Sequence, residues 1–272
     1  LLAFARKPAP VQVSWMGYPG TTGMTTIDYF LGDAETPCPG TEHLFTEQVY
    51  RLGRPQGCYR PFRADLAVQP APCLERGYIT FGCFNNPQKI SRDAVKLWSA
   101  ILHLVQQSRL LLKFRGMETT AFQNRYRQWF QEDGIEAGRL LFAGHSPAET
   151  FLAGYGLIDL ALDPFPYNGG TTTLDALWMG VPVVTLAGRL AVQRDGASIL
   201  SAAGLADFVA HTPEQYLKIA LFLAGVIPEK PDLRSELRRA LAASPFMDEA
   251  GLVRDVENAY RDMWHTWCRK RH

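Results

Sequence analysis

The 272-residue sequence predicts an α/β protein whose larger part is a doubly wound lobe built on a parallel sheet. Short apolar runs alternate with helix-like segments from residue 78 to about residue 225. Most of these runs are apolar throughout, which is typical of parallel strands that are covered on both faces. Residues 1–75 differ, because they are rich in proline and glycine and hold only short apolar runs. The sequence therefore predicts one complete lobe and a piece of another.

Six strands are expected in the complete lobe, each leading into a helix. Their sequences are YITFGCF (78–84), RLLLKF (109–114), RLLFAG (139–144), LIDLALD (157–163), VPVVTL (181–186) and DFVA (207–210). The first helix should begin at Ser91, a favourable N-cap residue, because apolar residues recur at helical spacing from Val95 to Val105. The other helices are expected at about 122–130, 147–154, from Thr172, at 196–203 and from Pro213.

The chain on either side of this lobe is organised differently. VQVSWM (11–16) alternates between apolar and other residues, and it predicts a strand that runs into the loop GYPGTTG (17–23). Segment 55–72 is proline-rich and predicts an extended linker, while the sequence after residue 230 is helical. We therefore expect three regions, at 1–75, 76–230 and 231–272.

Composition excludes several classes of protein. The formal net charge of +1 gives no general electrostatic attraction to nucleic acid or to an anionic membrane. No apolar run approaches the roughly 20 residues of a membrane span, and no signal peptide opens the chain. The five cysteines are odd in number and form no CxxC pair, which favours a reducing, cytoplasmic setting over structural zinc or disulfides. Because the chain starts at Leu1 rather than Met, we expect a processed protein or the C-terminal part of a longer one.

A surplus of hydrogen-bond donors marks the stretch DPFPYNGGTTTLDALW (163–178), which joins a strand to a helix. A helix N-terminus offers unpaired N–H groups and partial positive charge, and both suit a phosphate. Gly169 and Gly170 would let a ligand approach the backbone, while Thr171 and Thr172 would add hydroxyl donors. The alternative is a capping box from Thr172 to Asp175 that serves only the helix. The two interpretations are compatible.

Two further loops should face the same edge of the sheet. FNNPQKIS (84–91) follows the first strand of the lobe, and its Lys89 either neutralises a diphosphate as a point charge or is solvated. His145 and Ser146 follow the third strand, where Ser146 would offer its backbone. The sequence holds no Asp-x-Asp pair for a diphosphate-bound metal ion, and no catalytic triad can be argued from spacing.

Three runs together resemble the catalytic region of O-linked N-acetylglucosamine transferases, in particular the bacterial branch related to the SPINDLY proteins. They are APVQVSWMGYPGTTG with the following DY (9–29), FNNPQKIS (84–91) and LALDPFPYNGGTTTLDALWMGVPVVTLAG (160–188). The likeness extends from about residue 3 to residue 265. It implies a GT-B glycosyltransferase with two Rossmann-like lobes, in which region 76–230 binds the donor. Region 1–75 would be the C-terminal portion of the acceptor-side lobe with its linker, and 231–272 would pack back on both lobes.

The resemblance also implies a reaction. Members of the family transfer N-acetylglucosamine with inversion from UDP-N-acetylglucosamine to a Ser or Thr hydroxyl of a protein, without a metal ion or other cofactor. The implied partners are a nucleotide sugar, an acceptor protein or peptide, and tetratricopeptide repeats upstream of the catalytic region.

Residue roles follow from the same likeness. Lys89 should contact the UDP diphosphate and stabilise it as a leaving group, and Asn86 should bind the nucleotide sugar beside it. Thr171 and Thr172 should bind the phosphates, and Asp175 should support the nucleotide-sugar site. The binding residues should also include Ser146, Gly169 and Gly170. Asp28 is expected as a second catalytic residue, and it should face the cleft together with GYPGTTG from the first lobe.

The sequence departs from well-studied members of the family at three positions. Asn86 stands where they have Gln, Gly170 where they have His, and Phe151 where a His stacks near the uracil. The His proposed in the family as general base lies upstream of this chain's first residue, so we assign no general base.

Several alternatives stay open at this point. The donor could be GDP-fucose or UDP-glucose rather than UDP-N-acetylglucosamine. The chain could be a truncated, inactive module that binds a nucleotide sugar. It could also be a nucleotide-sugar epimerase of the same two-lobed architecture, which would need no acceptor.

Overall fold

Two parallel sheets organise the computed structural model, which describes residues 1–270 of the chain. The strands are β1 Val13–Ser14, β2 Tyr29–Gly32, β3 Gln48–Arg51, β4 Thr80–Cys83, β5 Arg109–Lys113, β6 Leu140–Ala143, β7 Leu160–Leu162, β8 Val183–Leu186 and β9 Val209–Ala210. The α-helices are α1 Leu2–Ala5, α2 Cys73–Arg76, α3 Arg92–Leu104, α4 Thr120–Glu132, α5 Ala148–Phe151, α6 Thr171–Trp178, α7 Asp195–Ala202, α8 Pro213–Glu229, α9 Leu233–Ala242 and α10 Glu249–Arg269. The last two residues of the predicted region 231–272 lie outside the described residues.

The larger sheet has six parallel strands in the order β6-β5-β4-β7-β8-β9. This confirms the predicted doubly wound lobe and its six strands. The order reverses between β4 and β7, because the chain first builds outward from β4 to β6 and then returns to build the other half. In open parallel sheets, ligands bind at the carboxyl ends of the strands next to this reversal. The loops that follow Cys83 and Leu162 therefore lie at the expected ligand site.

Alternating side chains of the central strands explain why these strands are apolar throughout. Leu110 and Leu112 belong to a core cluster with Trp98 of α3 and Tyr216 of α8. Leu111 lies between them in sequence but belongs to a second cluster, which α6 and α7 help to form. Successive side chains of a strand point to opposite faces, so the two clusters cover the two faces of the sheet.

Helix starts agree with the sequence more closely than strand ends do. The Ser91 hydroxyl caps α3 as predicted, accepting a hydrogen bond from the Ala94 N–H at 3.1 Å. The run LIDLALD (157–163) is longer than β7. Its first residue, Leu157, ends a 3₁₀ turn, and the Asp159 carboxylate accepts a hydrogen bond from the Thr80 N–H. Apolar character therefore extends beyond the paired residues of a strand.

The smaller sheet contains the parallel strands β1, β2 and β3 in that order. The strand predicted at 11–16 is confined to β1, and α10 packs on the sheet through Leu252, Val256 and Met263. Helix α9 instead packs against α6 of the larger sheet. The boundaries proposed at 75/76 and 230/231 stay predictions.

None of the helices described over residues 1–270, including the 21-residue α10, is long and apolar enough to span a membrane.

Segment 55–72, expected to be an extended linker, forms no helix or strand. It is nevertheless tied to the rest of the molecule through Tyr59, which is buried. The Tyr59 N–H donates to the carbonyl of Phe246 at 2.7 Å, and its hydroxyl reaches α6. This segment therefore contributes directly to the wall of the cleft described next.

Candidate functional site

A cleft between the two sheets contains two cavities that share part of their wall. The larger cavity has a volume of about 710 Å³ and is lined by residues of the larger sheet's loops together with Tyr59 and Arg60. The smaller has a volume of about 310 Å³ and lies against the loop that begins at Gly17. Cys58, Thr171 and Leu174 line both cavities. A ligand that passes from one cavity to the other therefore crosses the start of α6.

The start of α6 leaves backbone donors open at this junction. The N-cap residue is Gly170, and no side chain caps the helix. The N–H groups of Gly170, Thr171 and Thr172 have no hydrogen-bond partner within residues 1–270. Because the first N–H groups of a helix carry partial positive charge, this end suits an anion. The Thr171 side chain is exposed, so its hydroxyl is available as a further donor.

The capping box considered from the sequence is wrong, because its two side chains are engaged elsewhere. The Thr172 hydroxyl donates to Oδ1 of Asn85 at 2.8 Å. The Asp175 carboxylate accepts a hydrogen bond from the Tyr59 hydroxyl at 2.7 Å. These contacts attach α6 to the loop after β4 and to segment 55–72, and they leave its first N–H groups free.

The space available for a side chain differs between Gly169 and Gly170. A Cβ on Gly169 would lie only 2.5 Å from the Thr172 hydroxyl oxygen and 2.8 Å from Asn85 Oδ1. Such distances exclude a side chain, so Gly169 permits the internal packing of the loop. A Cβ on Gly170 would meet no atom closer than Asp195 Oδ2, at 3.8 Å. Gly170 faces open space in the smaller cavity.

Asp163, the first residue after β7, anchors the loop that contains Gly169 and Gly170. It is 2% exposed, and its carboxylate accepts hydrogen bonds from the Gly169 N–H at 2.7 Å and the Thr185 hydroxyl at 2.6 Å. Burial raises the pKa of Asp163 to about 7, against the opposing effect of these hydrogen bonds and of Lys89. The sequence marked Asp163 only as the end of a strand.

Lys89 contacts the same loop from the side of β4. Its Nζ donates to the carbonyl of Asn168 at 2.7 Å and lies 4.0 Å from the centroid of the Tyr167 ring. Burial lowers the pKa of Lys89, while the carboxylates of Asp163 and Asp195 raise it. Lys89 is thus a half-buried cation beside the loop that leads into α6, rather than a solvated surface residue.

The two amides that precede Lys89 have separate positions. Asn85 is buried, and its side chain accepts the hydrogen bond from Thr172. Asn86, the predicted binding residue, caps the 3₁₀ turn Pro87–Lys89 by accepting a hydrogen bond from the Gln88 N–H at 3.0 Å. Asn86 lines neither cavity of the cleft, so its contacts are those of a residue that shapes the turn carrying Lys89.

Ser146 and His145 line the larger cavity, as expected from the end of β6. Lys113 of β5 donates hydrogen bonds to the Ser146 hydroxyl and, at 3.1 Å, to the carbonyl of Gly144. Phe151 lines the same cavity, and its ring lies 6.1 Å from that of Phe84. This end of the cavity therefore offers an aromatic surface and a backbone loop fixed by Lys113.

The first-lobe loop contributes to the smaller cavity, but Asp28 does not. Gly17, Tyr18 and Pro19 line that cavity. Asp28 instead forms an ion pair with Lys7 and accepts a hydrogen bond from the Gln12 N–H at 2.7 Å. Those contacts tie the beginning of the chain to the first sheet, and they give no support to the catalytic role predicted for Asp28.

Two site residues were missed by sequence reasoning. Tyr59 lies in a proline-rich segment and reaches Asp175 across 116 positions of sequence, so no local pattern indicates it. Asp195 begins α7 and lines the smaller cavity, although its segment was predicted only as a helix. A carboxylate at the first turn of a helix is ordinary in sequence, and only the packing of α7 beside α6 places it in the cleft.

Asp175 should make stability depend on pH. Burial raises the pKa of Asp175 from its ordinary value of 3.8 to about 6, although the Tyr59 hydrogen bond acts in the opposite direction. Between these values the folded state keeps a proton that the unfolded state releases, so stability falls as pH rises through this range. We expect Asp175→Asn to be more stable relative to the native protein at pH 8 than at pH 5, by about 1 kcal/mol. Urea unfolding at both pH values measures this difference.

The matched control for Asp175→Asn is Asp207→Asn, because Asp207 is exposed. We expect the control to change stability equally at pH 5 and pH 8. A constant difference between the native protein and Asp175→Asn at the two pH values would contradict the prediction.

Comparison with known proteins gives a consistent set of matches. The sequence pattern described as Glycosyl transferase family 41 matches residues 2–54 and 69–256. A tomato (Solanum lycopersicum) protein named probable UDP-N-acetylglucosamine–peptide N-acetylglucosaminyltransferase SPINDLY is 38% identical over 269 residues, which are 97% of this chain and 28% of that protein. The K341M mutant of the Thermobaculum terrenum O-GlcNAc transferase superposes with a TM-score of 0.89 at 38% identity, over 99% of this chain and 51% of the other.

A more distant match shows the fold alone. Sucrose-phosphate synthase from Thermosynechococcus elongatus superposes with a TM-score of 0.59 at 14% identity, over 88% of this chain and 59% of that one. The chain spans under a third of the length of the curated SPINDLY relatives.

Proposed function

Because the chain belongs to glycosyl transferase family 41, we propose that it carries the donor site of an enzyme that transfers N-acetylglucosamine from UDP-N-acetylglucosamine to Ser or Thr hydroxyls of proteins. The names of its relatives, a UDP-N-acetylglucosamine–peptide transferase and an O-GlcNAc transferase, support this donor and this class of acceptor. The acceptor's identity, upstream tetratricopeptide repeats and a cytoplasmic location stay predictions.

One observation carries the proposal: the uncapped start of α6 at the junction of two cavities. The larger cavity, with its volume of about 710 Å³, has room for a nucleoside, and Phe151 offers it an aromatic face. A diphosphate at the junction would meet the free N–H groups of Thr171 and Thr172 and the Thr171 hydroxyl. The sugar would then extend into the smaller cavity, toward the loop of Tyr18 and Pro19.

The proposed chemistry concerns charge on the leaving group. When the bond between sugar and diphosphate breaks, negative charge grows on the β-phosphate oxygens. Preorganised donors and a nearby cation stabilise such charge without reorganising during the reaction. The start of α6 supplies the donors, and Lys89 supplies a cation whose position is fixed by the Asn168 carbonyl and the Tyr167 ring. Ser146, Gly169, Gly170 and Asp175 shape the site around them, and inversion at the sugar carbon follows from a single displacement by the acceptor hydroxyl.

Isothermal titration with UDP, GDP and their sugars tests the donor. We expect UDP and UDP-N-acetylglucosamine to bind and GDP to bind more weakly. Preference for GDP or GDP-fucose would overturn the UDP assignment, and tighter binding of UDP-glucose would change the sugar.

Transfer assays separate the remaining alternatives. Radiolabelled N-acetylglucosamine transfer to a peptide mixture would rule out an inactive binding module. A free, epimerised sugar released without acceptor, detected by NMR, would instead indicate an epimerase.

Thr171 offers a direct test of the phosphate site. Thr171→Val keeps the shape of the side chain and removes its hydroxyl, so we expect UDP to bind about fivefold to tenfold more weakly. Thr120→Val is the matched control, because Thr120 is also exposed and is also the first residue of a helix, α4. Equal UDP affinity of Thr171→Val and the native protein, measured by titration, would show that this hydroxyl does not contact the nucleotide.

A further inference from the structure

Asp195 places a carboxylate without a partner in the smaller cavity. It is half-buried at the start of α7, and it accepts no hydrogen bond from the residues that the structure describes. Burial raises the pKa of Asp195 to about 6, and Lys89 opposes this effect, so the carboxylate is mostly ionised at neutral pH. A half-buried carboxylate is costly to leave without a donor. This one is therefore placed to receive a hydrogen bond from a ligand.

The surroundings of Asp195 restrict what that ligand group can be. Its Oδ2 faces Gly170 at the start of α6, 3.8 Å from where a Cβ of Gly170 would lie. The positive charge of Lys89 attracts the Asp195 carboxylate, and the negative charge of Asp33 repels it. Burial raises the pKa of the Tyr167 phenol, and Asp195 adds to this effect. An ionised carboxylate accepts hydrogen bonds only and repels phosphate. The group that it binds must therefore be a hydrogen-bond donor without negative charge, such as a hydroxyl, next to the phosphate site.

The geometry of the cleft identifies which part of the substrate supplies this hydroxyl. On the proposed function, on which this inference rests, the nucleoside occupies the larger cavity and the diphosphate lies at Thr171. The next part of the same molecule is the sugar, which enters the smaller cavity where Asp195 lies. Sugar hydroxyls are neutral donors, and a carboxylate binds them well because its hydrogen bonds are charge-assisted.

We propose that Asp195 is a specificity-determining residue that accepts a hydrogen bond from a hydroxyl of the donor sugar. It makes the site favour the nucleotide sugar over the free nucleoside diphosphate, because it attracts the sugar and repels additional phosphate charge. It also lies beside the opening at Gly170, the position where a His would be expected from the family resemblance. The carboxylate and the glycine together form one wall of the sugar subsite.

Titration of UDP and UDP-N-acetylglucosamine into the native protein, Asp195→Ala and Asp195→Asn tests the proposal. We expect Asp195→Ala to bind UDP-N-acetylglucosamine about tenfold more weakly, while UDP binds equally well or more tightly because a negative charge has been removed. Asp195→Asn should lose less, since its amide oxygen still accepts a hydrogen bond. Asp207→Ala, at an exposed position, should change neither affinity.

The possible outcomes separate this inference from the proposed function. Equal loss of UDP and UDP-N-acetylglucosamine affinity in Asp195→Ala would overturn a contact with the sugar. Unchanged affinities with a fall in kcat for peptide transfer would assign the hydroxyl to the acceptor and also overturn it. If the native protein binds neither ligand, the proposed function fails and this inference fails with it. Urea unfolding of each variant shows whether the fold is retained.

Discussion

Replacing Lys89 with alanine should lower kcat for N-acetylglucosamine transfer by about 100-fold to 1000-fold, a loss typical of removing one group that stabilises developing charge. The Kd for UDP, measured by titration, should rise much less. Lys89 lies beside the loop at the start of α6, where the charge on the diphosphate grows as the sugar leaves. A cation in that position interacts more strongly with the transition state than with the bound substrate, so its loss appears mainly in kcat.

Two further variants make the Lys89 experiment decisive. Lys218→Ala removes an exposed lysine of α8 and should leave kcat unchanged. Lys89→Arg keeps the charge, and it should retain more activity than Lys89→Ala. If Lys89→Ala raised the Kd for UDP as much as it lowered kcat, Lys89 would contribute to ground-state binding and not specifically to departure of the leaving group.

Replacing Asp159 with alanine should lower the free energy of unfolding by about 3–5 kcal/mol, as expected when one partner of a buried charged network is removed. Asp159 is 0% exposed, and its carboxylate accepts hydrogen bonds from the N–H groups of Cys73 at 2.9 Å and Thr80 at 2.8 Å. It also opposes the burial that lowers the pKa of Arg234 to about 10. The variant would leave two N–H groups unpaired and a buried guanidinium without its compensating charge. Urea unfolding measures the loss.

Asp159→Asn and Asp207→Ala are the controls for this experiment. The asparagine keeps one acceptor for the two N–H groups and should cost less than alanine, whereas loss of the exposed Asp207 should have little effect. A loss below about 1 kcal/mol in Asp159→Ala would contradict the role described here, because it is the size expected of one ordinary hydrogen bond.

Arg234 and Arg238 show how the C-terminal helices support the site from its far side. Arg238 donates to the carbonyl of Trp178 and stacks over the Trp178 ring at 3.9 Å. Arg234 donates to the carbonyl of Met179 at 3.4 Å and to that of Tyr155 at 3.1 Å. These contacts hold the C-terminal end of α6, while Asn85 and Tyr59 hold its first two turns. The helix that offers its N–H groups to the ligand is therefore fixed at both ends.

Much of the larger lobe could be predicted from the sequence because its signals are local. Apolar runs predicted all six strands of its sheet, and Ser91 predicted the start of α3 through a hydrogen bond that spans three residues. The helix after the glycine pair was predicted to begin near Thr172, and α6 begins one residue earlier, at Thr171. Such signals depend on neighbours in the chain, whose distances are set by helix and strand geometry.

Residues whose roles depend on distant partners could not be predicted in the same way. Thr172 and Asp175 have the spacing of a capping box, and the sequence alone left that possibility open. In the structure, burial against Asn85 and Tyr59 provides both side chains with partners 87 and 116 positions away. Asn86 and Asp28 were expected at the cleft, yet their side chains bind local backbone and Lys7, respectively.

The sequence by itself determined the doubly wound lobe, its carboxyl-edge loops and a helix start near Thr172, one residue after the observed start of α6. Those features arise from hydrophobic periodicity and backbone preference, which act over a few residues. Only the tertiary structure decided that Tyr59 closes the larger cavity and that Asp195 faces Gly170 in the smaller one. Asp195 reaches this position because the sheet brings the loops of β4, β7 and β8, which are far apart in sequence, to one edge. Tyr59 is held there by hydrogen bonds to Phe246 and Asp175, which likewise lie far from it along the chain.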